Sequence, residues 1–125
     1  MNIPNIKRIL LVDDSEVIRR GLGRILVIEG FSVDTAADGI EAQHLLNEND
    51  YDMVLTDIRM PVMTGIELYQ QIEQICPKAA NKVVFMSMDI PDPQTRRFFT
   101  KVNRPFLLKP FTMDDLMNAF RSCGC

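Results

Sequence analysis

Five polar side chains come directly after short apolar runs of the chain. They are Asp13, Asp14, Asp57, Ser87 and Lys109. Carboxylates ligate hard divalent cations and can attack phosphorus, a serine hydroxyl donates a hydrogen bond, and a lysine ammonium binds anionic oxygens as a point charge. If these groups meet in one pocket, they have the types needed to bind magnesium and to carry a phosphoryl group.

The three acids impose a requirement of their own. Carboxylates crowded into one pocket repel one another, which raises their pKa values unless a cation offsets the repulsion. Magnesium suits this role because it takes one or two carboxylates and keeps several waters. One carboxylate is therefore free to react and form an aspartyl phosphate, while Lys109 and Ser87 bind the charged oxygens of the transferred group.

The apolar runs that precede these residues predict β-strands. Three of them are short, continuous and rich in Val, Ile and Leu, which is typical of strands covered on both faces. The second run alternates apolar and polar residues, so we expect it at a sheet edge. The predicted strands are Ile9–Val12, Phe31–Ala36, Met53–Thr56, Val83–Met86 and Phe106–Leu108.

Between the runs, the apolar residues recur at helical spacing. Thr64 with Glu67, and Thr112 with Asp115, predict capping boxes at two of the helix starts, and Gly30 stands where it would end the first helix. The first helix carries two neighbouring apolar sets. They are Val17, Gly21, Ile25 and Ile28, with Ile18, Leu22 and Leu26 beside them.

Prolines limit the fourth helix. Pro91 and Pro93 prevent helix before about residue 93 and Pro105 closes the segment, so we expect a short helix over about 94–101. Strand and helix then alternate five times. Because parallel strands need right-handed crossovers, the chain is predicted to form a doubly wound α/β sheet whose carboxyl strand ends meet at one edge.

Length and composition fit one such domain over residues 1–125. Of the 125 residues, 46% are hydrophobic and 25% are charged, which argues against disorder. The net charge of −3 is unlike that of a nucleic-acid or membrane-surface binder. No apolar stretch reaches the roughly 20 residues of a membrane helix or has the pattern of a signal peptide, so we expect a cytoplasmic protein.

The cysteines agree with that location, because three of them make a poor disulfide framework. Cys123 and Cys125 have the spacing of a soft-metal clip, but no second thiol pair or histidine stands nearby, and a frayed tail is the better interpretation. His44, the one histidine, falls in a predicted helix away from the strand ends.

The site residues and their surroundings resemble the receiver domains of response regulators in two-component signalling. The matching segments are ILLVDDS (9–15), LTDIRMPVMTGIEL (55–68) and FLLKPF (106–111). An Asp-Asp pair or a Lys-Pro pair alone is weak evidence for this family. The presence of all the elements in order, each at a strand end, over about residues 7–121, is specific to it. The resemblance implies a flavodoxin-like (βα)5 sandwich, with five parallel strands in the order 2-1-3-4-5.

The resemblance also implies roles for the acids. Asp57 would accept a phosphoryl group from a histidine kinase or a histidine phosphotransfer protein, with Mg²⁺ as the cofactor. Asp14 would ligate Mg²⁺ directly and Asp13 chiefly through water. Asp57 itself and the backbone carbonyl of Arg59 would be further ligands.

The same resemblance implies a conformational switch. Ser87 and Lys109 would bind phosphoryl oxygens, and the peptide bond between Lys109 and Pro110 would be cis. Ser87 would move towards the phosphoryl group while Phe106 turns inward behind it. The fourth helix, the fifth strand and the last helix would form the responding face, which contacts an unidentified output protein. The domain would catalyse its own phosphorylation and dephosphorylation, as a monomer or as a dimer that forms on phosphorylation.

Two features depart from the usual pattern of the family: the residues around the cleft, and the segment 91–104, which lacks the small residues usual before the fifth strand. Met88 stands where many receivers have a small residue. Arg59 lies two residues after Asp57, and Asp89 lies two residues after Ser87. We expect Met88 to crowd the phosphoryl group and Arg59 to pair with Asp89 across the mouth of the cleft, which would affect the phosphoryl lifetime. Phe98 and Phe99 cannot easily both face the core, so we expect one of them to be exposed.

Three other functions can be weighed. An aspartate-nucleophile phosphatase needs a second acid two residues after the nucleophile, where this chain has Arg59. A flavin-binding protein needs a phosphate loop after the first strand, where the residues Asp13 to Glu16 are too acidic. A receiver that acts as a binding module without phosphorylation is the serious alternative.

Overall fold

The computed structural model describes residues 6–122, so Cys123 and Cys125 lie outside the described residues. Five strands and six helices follow one another along this part of the chain. The strands are β1 (Arg8–Val12), β2 (Ser32–Ala36), β3 (Met53–Asp57), β4 (Val83–Ser87) and β5 (Phe106–Leu108). The helices are α1 (Glu16–Ile28), α2 (Gly39–Glu48), α3 (Gly65–Ile75), α4 (Pro77–Ala80), α5 (Pro93–Val102) and α6 (Met113–Arg121).

The strands form one parallel sheet in the order β2-β1-β3-β4-β5. This confirms the predicted doubly wound, flavodoxin-like α/β fold and its strand order. β3 and β4 are buried along their whole length, as their continuous apolar sequences indicated, and the alternating β2 lies at the edge. Because all strands run in the same direction, their carboxyl ends lie together at one end of the sheet. Asp57 and Ser87 are the last residues of β3 and β4 at that end.

Two apolar layers cover the sheet, one on each face. The first packs α2, α3, α4 and α5 against the sheet and includes the rings of Tyr69, Phe85 and Phe99. The second packs α1 and α6 on the opposite face, around Leu26 and Phe120. Burial of these side chains, at about 25 cal/mol per Å² of apolar surface, holds the helices against the sheet and so fixes the loops at its carboxyl edge.

Side-chain caps begin the helices where the sequence predicted them. The Thr64 hydroxyl accepts a hydrogen bond from the Glu67 amide (3.1 Å), and the Glu67 carboxylate accepts one from the Thr64 amide (3.0 Å). Thr112 and Asp115 form the same reciprocal pair before α6. Gly30 follows α1 with a φ of +104°, a conformation that L side chains rarely adopt.

The helices differ from the sequence prediction in two respects, and the structure also shows which apolar set of α1 is buried. α4 was not predicted, because a single turn is too short to show a helical period. α5 runs over residues 93–102, one residue longer at each end than expected. α1 buries the apolar set around Leu26 and leaves Val17, Ile25 and Ile28 exposed, at 79%, 47% and 75%. Within residues 6–122, no helix has both the length and the apolar content to span a membrane.

The expectation that Phe98 or Phe99 is exposed is wrong. Phe99 is buried, and Phe98 is half-buried because its ring packs edge-on against Tyr69 of α3, with a centroid distance of 6.0 Å. The two adjacent side chains both find apolar neighbours, since α3 and the sheet lie on two sides of α5.

Candidate functional site

Three carboxylates converge at the carboxyl edge of the sheet. Asp13 and Asp14 follow β1, Asp57 ends the neighbouring β3, and one carboxylate oxygen of each lies within 4.8 Å of the others. Asp13 and Asp57 are 1% and 7% exposed, while Asp14 faces solvent. The structure therefore brings together the acids that the sequence predicted to share a pocket.

Lys109 reaches this acid cluster from the end of β5. Its Nζ lies 2.9 Å from Asp13 Oδ2 and 3.6 Å from Asp57 Oδ1, and the side chain is buried. The peptide bond between Lys109 and Pro110 is cis, as the resemblance implied. One ammonium against three carboxylates leaves the pocket with an excess of negative charge.

Ser87 is buried at the end of β4, beside the end of β5 that carries Lys109. Its Oγ accepts a hydrogen bond from the Asp89 amide (3.2 Å), and its carbonyl oxygen accepts one from the Lys109 amide (2.7 Å). The second bond joins the ends of β4 and β5. The hydroxyl and the ammonium predicted to bind phosphoryl oxygens are therefore carried by directly linked strand ends.

Asp13 and Asp14 differ in how firmly they are held. The Asp13 carboxylate accepts hydrogen bonds from the Ser15 amide (2.9 Å) and from Lys109 Nζ (2.9 Å), and its carbonyl oxygen accepts one from Arg19 Nη1 (2.7 Å). The Asp14 carboxylate has no hydrogen bond or ion pair with any residue in the described part of the chain. A cation can therefore bind Asp14 without displacing another group.

The pKa of Asp57 is raised above its ordinary value of 3.8. Burial is the largest cause, and the charges of Asp13 and Asp14 raise the pKa further, whereas Lys109 and a backbone hydrogen bond lower it. The pocket therefore needs more positive charge than Lys109 supplies. An oxygen-only donor set with one solvent-facing carboxylate fits Mg²⁺, which prefers oxygen ligands and retains water.

The match to known proteins agrees with this geometry. Residues 9–121 match the family described as the response regulator receiver domain. The chain belongs to this family. It is a receiver domain of two-component signalling, which confirms the resemblance seen in its three sequence segments.

Three relatives illustrate the range of proteins that carry such a receiver. The chemotaxis protein CheY of Halobacterium salinarum is 34% identical over 114 residues, which are 90% of this chain and 92% of CheY. The response regulator MprA of Mycobacterium sp. (strain KMS) is 31% identical over 117 residues, which are 92% of this chain and 49% of MprA. The crystal structure of TrrA from Thermotoga maritima in complex with Mg(2+)-BeF is 30% identical, with a TM-score of 0.80, and the match covers 94% of this chain and 99% of TrrA. The chain spans about half the length, or less, of the first curated relatives it matches.

An ion pair spans the mouth of the receiver's cleft. Arg59 Nη1 lies 3.2 Å from Asp89 Oδ2, which confirms the predicted pairing, and both side chains are exposed. Met88 lies between Ser87 and Asp89 and is 66% exposed at the same rim. Exposed pairs of this kind contribute about 0.2–1 kcal/mol, so the mouth is closed only weakly.

The loop after Asp57 passes close to the receiver's third strand. The Gly65 amide donates to the Ile58 carbonyl (2.8 Å), and a Cβ atom at residue 65 would overlap the carbonyl oxygen of Asp57. Val62 in this loop has a φ of +71°, where a β-branched side chain costs about 1–3 kcal/mol. Backbone packing therefore fixes the loop beside the acids.

Phe106, the residue predicted to switch, is half-buried in an aromatic stack. Its ring lies 5.6 Å from that of Phe99, with an angle of 13° between the planes, and Phe99 stacks on Phe85 at 4.7 Å. Phe85 and Phe106 are register partners across β4 and β5. The stack connects α5 to the two strands that end in Ser87 and near Lys109.

Sequence reasoning missed Arg19. It lies three and seven residues before Leu22 and Leu26, on the helix face that packs towards the sheet, and its guanidinium bonds to Asp13. The sequence did contain a signal for Arg19. It is a basic residue on an otherwise apolar helix face, and it follows two predicted site acids by about one and a half helical turns.

Proposed function

We propose that this receiver accepts a phosphoryl group on Asp57 from a histidine kinase or a histidine phosphotransfer protein, with Mg²⁺ as the cofactor. The observation that carries the proposal is the pocket itself. Three carboxylates and one lysine lie together at the carboxyl ends of three strands, with a net negative charge that a divalent cation would offset. Family membership supports the same chemistry.

The transfer step needs no general base. An ionised carboxylate oxygen of Asp57 forms a bond to phosphorus while the bond between phosphorus and the donor's imidazole nitrogen breaks. The nitrogen keeps the electron pair and takes its proton from water. Because the cleft is acidic and Asp57 is buried, the ionised carboxylate depends on nearby positive charge.

The two adjacent acids would hold the cation differently. Asp14 would be a direct ligand, because its carboxylate faces solvent and has no partner among residues 6–122. Asp13 would act through water, because both of its carboxylate oxygens already accept hydrogen bonds. Asp57 and the backbone carbonyl of Arg59 complete the proposed ligand set. When bound, Mg²⁺ would stabilise the charge of the transferring phosphoryl group.

Lys109 and Ser87 are the proposed phosphoryl ligands. Lys109 Nζ, already 3.6 Å from Asp57 Oδ1, needs only to turn from Asp13 to meet a phosphoryl oxygen. Ser87 would exchange its bond from the Asp89 amide for a bond to that group. Neither change breaks the backbone bond between Ser87 and Lys109, so β4 and β5 stay paired while the side chains respond.

The switch would pass through the aromatic stack. Movement of Ser87 displaces β4, and Phe106 is in contact with Phe99 of α5, so its inward turn would shift α5. The face formed by α5, β5 and α6 would then change its affinity for an output protein, or support a dimer of phosphorylated chains. A small charge change at the cleft would reach the surface in this way.

The proposed docking surface for the phosphodonor begins beside Asp14. α1 starts two residues later and presents the aliphatic side chains of Val17, Ile25 and Ile28 to solvent. Exposed apolar residues grouped in this way mark interaction surfaces. Docking there would bring a partner's histidine over the cleft.

Residues 1–125 would act as one receiver unit in the cytoplasm, without direct contact to nucleic acid or membrane. The domain would catalyse its own phosphorylation and dephosphorylation rather than turn over a separate substrate. Met88 and the pair of Arg59 with Asp89 would slow the approach of the water that removes the phosphoryl group.

Beryllofluoride, which binds a carboxylate as a phosphoryl analogue, tests the site without a kinase. With Mg²⁺ present, it should shift the NMR amide signals of Asp57, Ser87, Lys109 and α5, and Asp57→Asn should remove the response. If neither Mg²⁺ nor beryllofluoride shifts these signals, the chain works instead as a binding module without phosphorylation.

A further inference from the structure

Two adjacent arginines of α1 have different surroundings. Arg20 forms an ion pair with Glu16 at the surface, where both side chains are largely exposed. Arg19 is half-buried and turns towards the cleft, where its Nη1 donates a hydrogen bond of 2.7 Å to the carbonyl oxygen of Asp13. This is the shortest of the three bonds that hold Asp13 at its carboxylate and carbonyl oxygens.

The carbonyl that Arg19 holds belongs to the peptide bond between Asp13 and Asp14. A peptide unit is planar, so fixing its oxygen also fixes the direction of the amide that begins Asp14. The Asp14 carboxylate has no partner of its own among residues 6–122. Its direction therefore depends on the backbone, which Arg19 helps to hold at the Asp13 carbonyl.

We propose that Arg19 is a positioning residue that orients Asp14 for a divalent cation. The inference rests on the proposed function, because it assumes that Asp14 ligates Mg²⁺ directly. Arg19 does not touch the cation or the phosphoryl group. It acts on the peptide plane that aims the ligand, as the outer partners of metal ligands do elsewhere.

The positive charge of Arg19 has the opposite effect on a cation. A guanidinium beside the cleft repels Mg²⁺, so loss of the charge alone would strengthen binding. Because Arg19 is half-exposed, water screens that repulsion, whereas the geometry of the peptide is not screened. The sign of the change in Mg²⁺ affinity therefore separates the positioning role from a purely electrostatic one.

The test is an NMR titration of the full chain with MgCl2, which follows the amide signals of Asp13, Asp14 and Asp57. Arg19→Met keeps the aliphatic stem and removes the donor, and it should weaken Mg²⁺ binding by about tenfold. Arg19→Lys, which retains a donor, should recover part of the affinity. Arg20→Met is the matched control and should bind as the parent does.

Thermal unfolding without Mg²⁺ shows whether each variant is folded before its affinity is interpreted. If Arg19→Met binds Mg²⁺ as Arg20→Met does, or more tightly, the positioning role is wrong. If Arg19→Met does not fold, Arg19→Lys decides by the same titration: it must bind Mg²⁺ more weakly than Arg20→Met, and parent-like affinity would contradict the positioning role. A parent chain that binds no Mg²⁺ contradicts the proposed function itself, which is a separate outcome.

Discussion

Two polar clusters lie towards opposite ends of the same sheet. The cleft cluster consists of Asp13, Asp14, Asp57 and Lys109 at the carboxyl ends of the strands. The basal cluster consists of Arg8, Asp34, Asn49 and Tyr51 towards the amino ends. In the basal cluster, Tyr51 donates to Asp34 (2.7 Å) and Arg8 donates to both Asp34 (3.1 Å) and Asn49 (2.9 Å), so one cation faces one anion.

The carboxyl pKa values of Asp34 in the basal cluster and Asp57 in the cleft cluster shift in opposite directions. The hydrogen bond from Tyr51 lowers the pKa of Asp34, and Arg8 lowers it further against the opposing effect of burial. At the cleft, burial and two neighbouring acids raise the pKa of Asp57 despite Lys109. The charges of the basal cluster are balanced, so that cluster stabilises the fold. The cleft cluster has an excess of negative charge and a carboxylate, that of Asp14, without a partner among residues 6–122, so it is suited to bind a cation.

The largest expected effect is on the free energy of unfolding, at Gly65 beside the cleft cluster. Gly65→Ala places a Cβ atom against the carbonyl oxygen of Asp57, and we expect a loss of about 3 kcal/mol in the free energy of unfolding because overpacked backbone must move. Gly21→Ala is the control, since nothing lies within 4 Å of a Cβ there, and it should gain about 0.5–1 kcal/mol. Urea unfolding of both variants measures the difference, and equal effects would contradict the close approach at residue 65.

The basal cluster should contribute to stability without affecting function. Tyr51→Phe removes the hydroxyl from Asp34 and should cost about 1 kcal/mol, the net value of a typical hydrogen bond. Because the pKa of Asp34 is lowered in the folded state, this contribution is present above the ordinary carboxyl pKa and is lost as the pH falls through the lowered value. Urea unfolding at neutral and acidic pH should show a difference from the parent that shrinks in acid. A loss of the beryllofluoride response in this variant would break the distinction between the clusters.

The sequence predicted the cleft cluster because its residues end continuous apolar strands, and parallel strands bring their ends together. The pair of Arg59 with Asp89 followed from spacing alone. The basal cluster was not predicted, because Arg8 and Asp34 lie in strands, Asn49 and Tyr51 lie in a loop, and the four share no pattern. Arg19 was missed although it stands on an otherwise apolar helix face, because its partner is a backbone carbonyl, which no residue type identifies.

Burial on the helix faces could not be predicted for a different reason. α1 carries two apolar sets, and the period alone does not tell which of them the sheet covers; Val17 belongs to the exposed set. Phe98 was expected at the surface, but a ring of α3 covers it. Periodicity identifies a helix, whereas burial depends on neighbours that are distant in sequence.

The charge at Asp57 should lower the stability of the metal-free chain. Since its pKa is raised in the folded state, ionisation disfavours folding at every pH above the ordinary value of 3.8, and the penalty is complete above the raised pKa. Asp57→Asn should therefore raise the Tm at neutral pH in the presence of a chelator. The gain should vanish as the pH falls below the ordinary value. A lower Tm at neutral pH would show that the attraction between Lys109 and Asp57 outweighs burial.

The smallest expected effect is at the mouth of the cleft. Arg59→Ala removes an exposed ion pair worth about 0.2–1 kcal/mol. If the pair must open before water attacks, its loss should speed dephosphorylation by at most about fivefold. Met88→Ala should act in the same direction by opening the rim. Release of phosphate after removal of the phosphodonor measures both rates, and unchanged rates in both variants would exclude the mouth from control of the phosphoryl lifetime.

The most direct test of the account is covalent labelling of the purified chain by acetyl phosphate. With Mg²⁺ present, mass spectrometry should find one added phosphoryl group, on the peptide that contains Asp57. The label should be absent from Asp57→Asn and from the parent in the presence of a chelator. A chain that stays unlabelled, or that is labelled equally well without Mg²⁺ or at another residue, would contradict the claim that the cleft cluster is a cation-dependent phosphoacceptor.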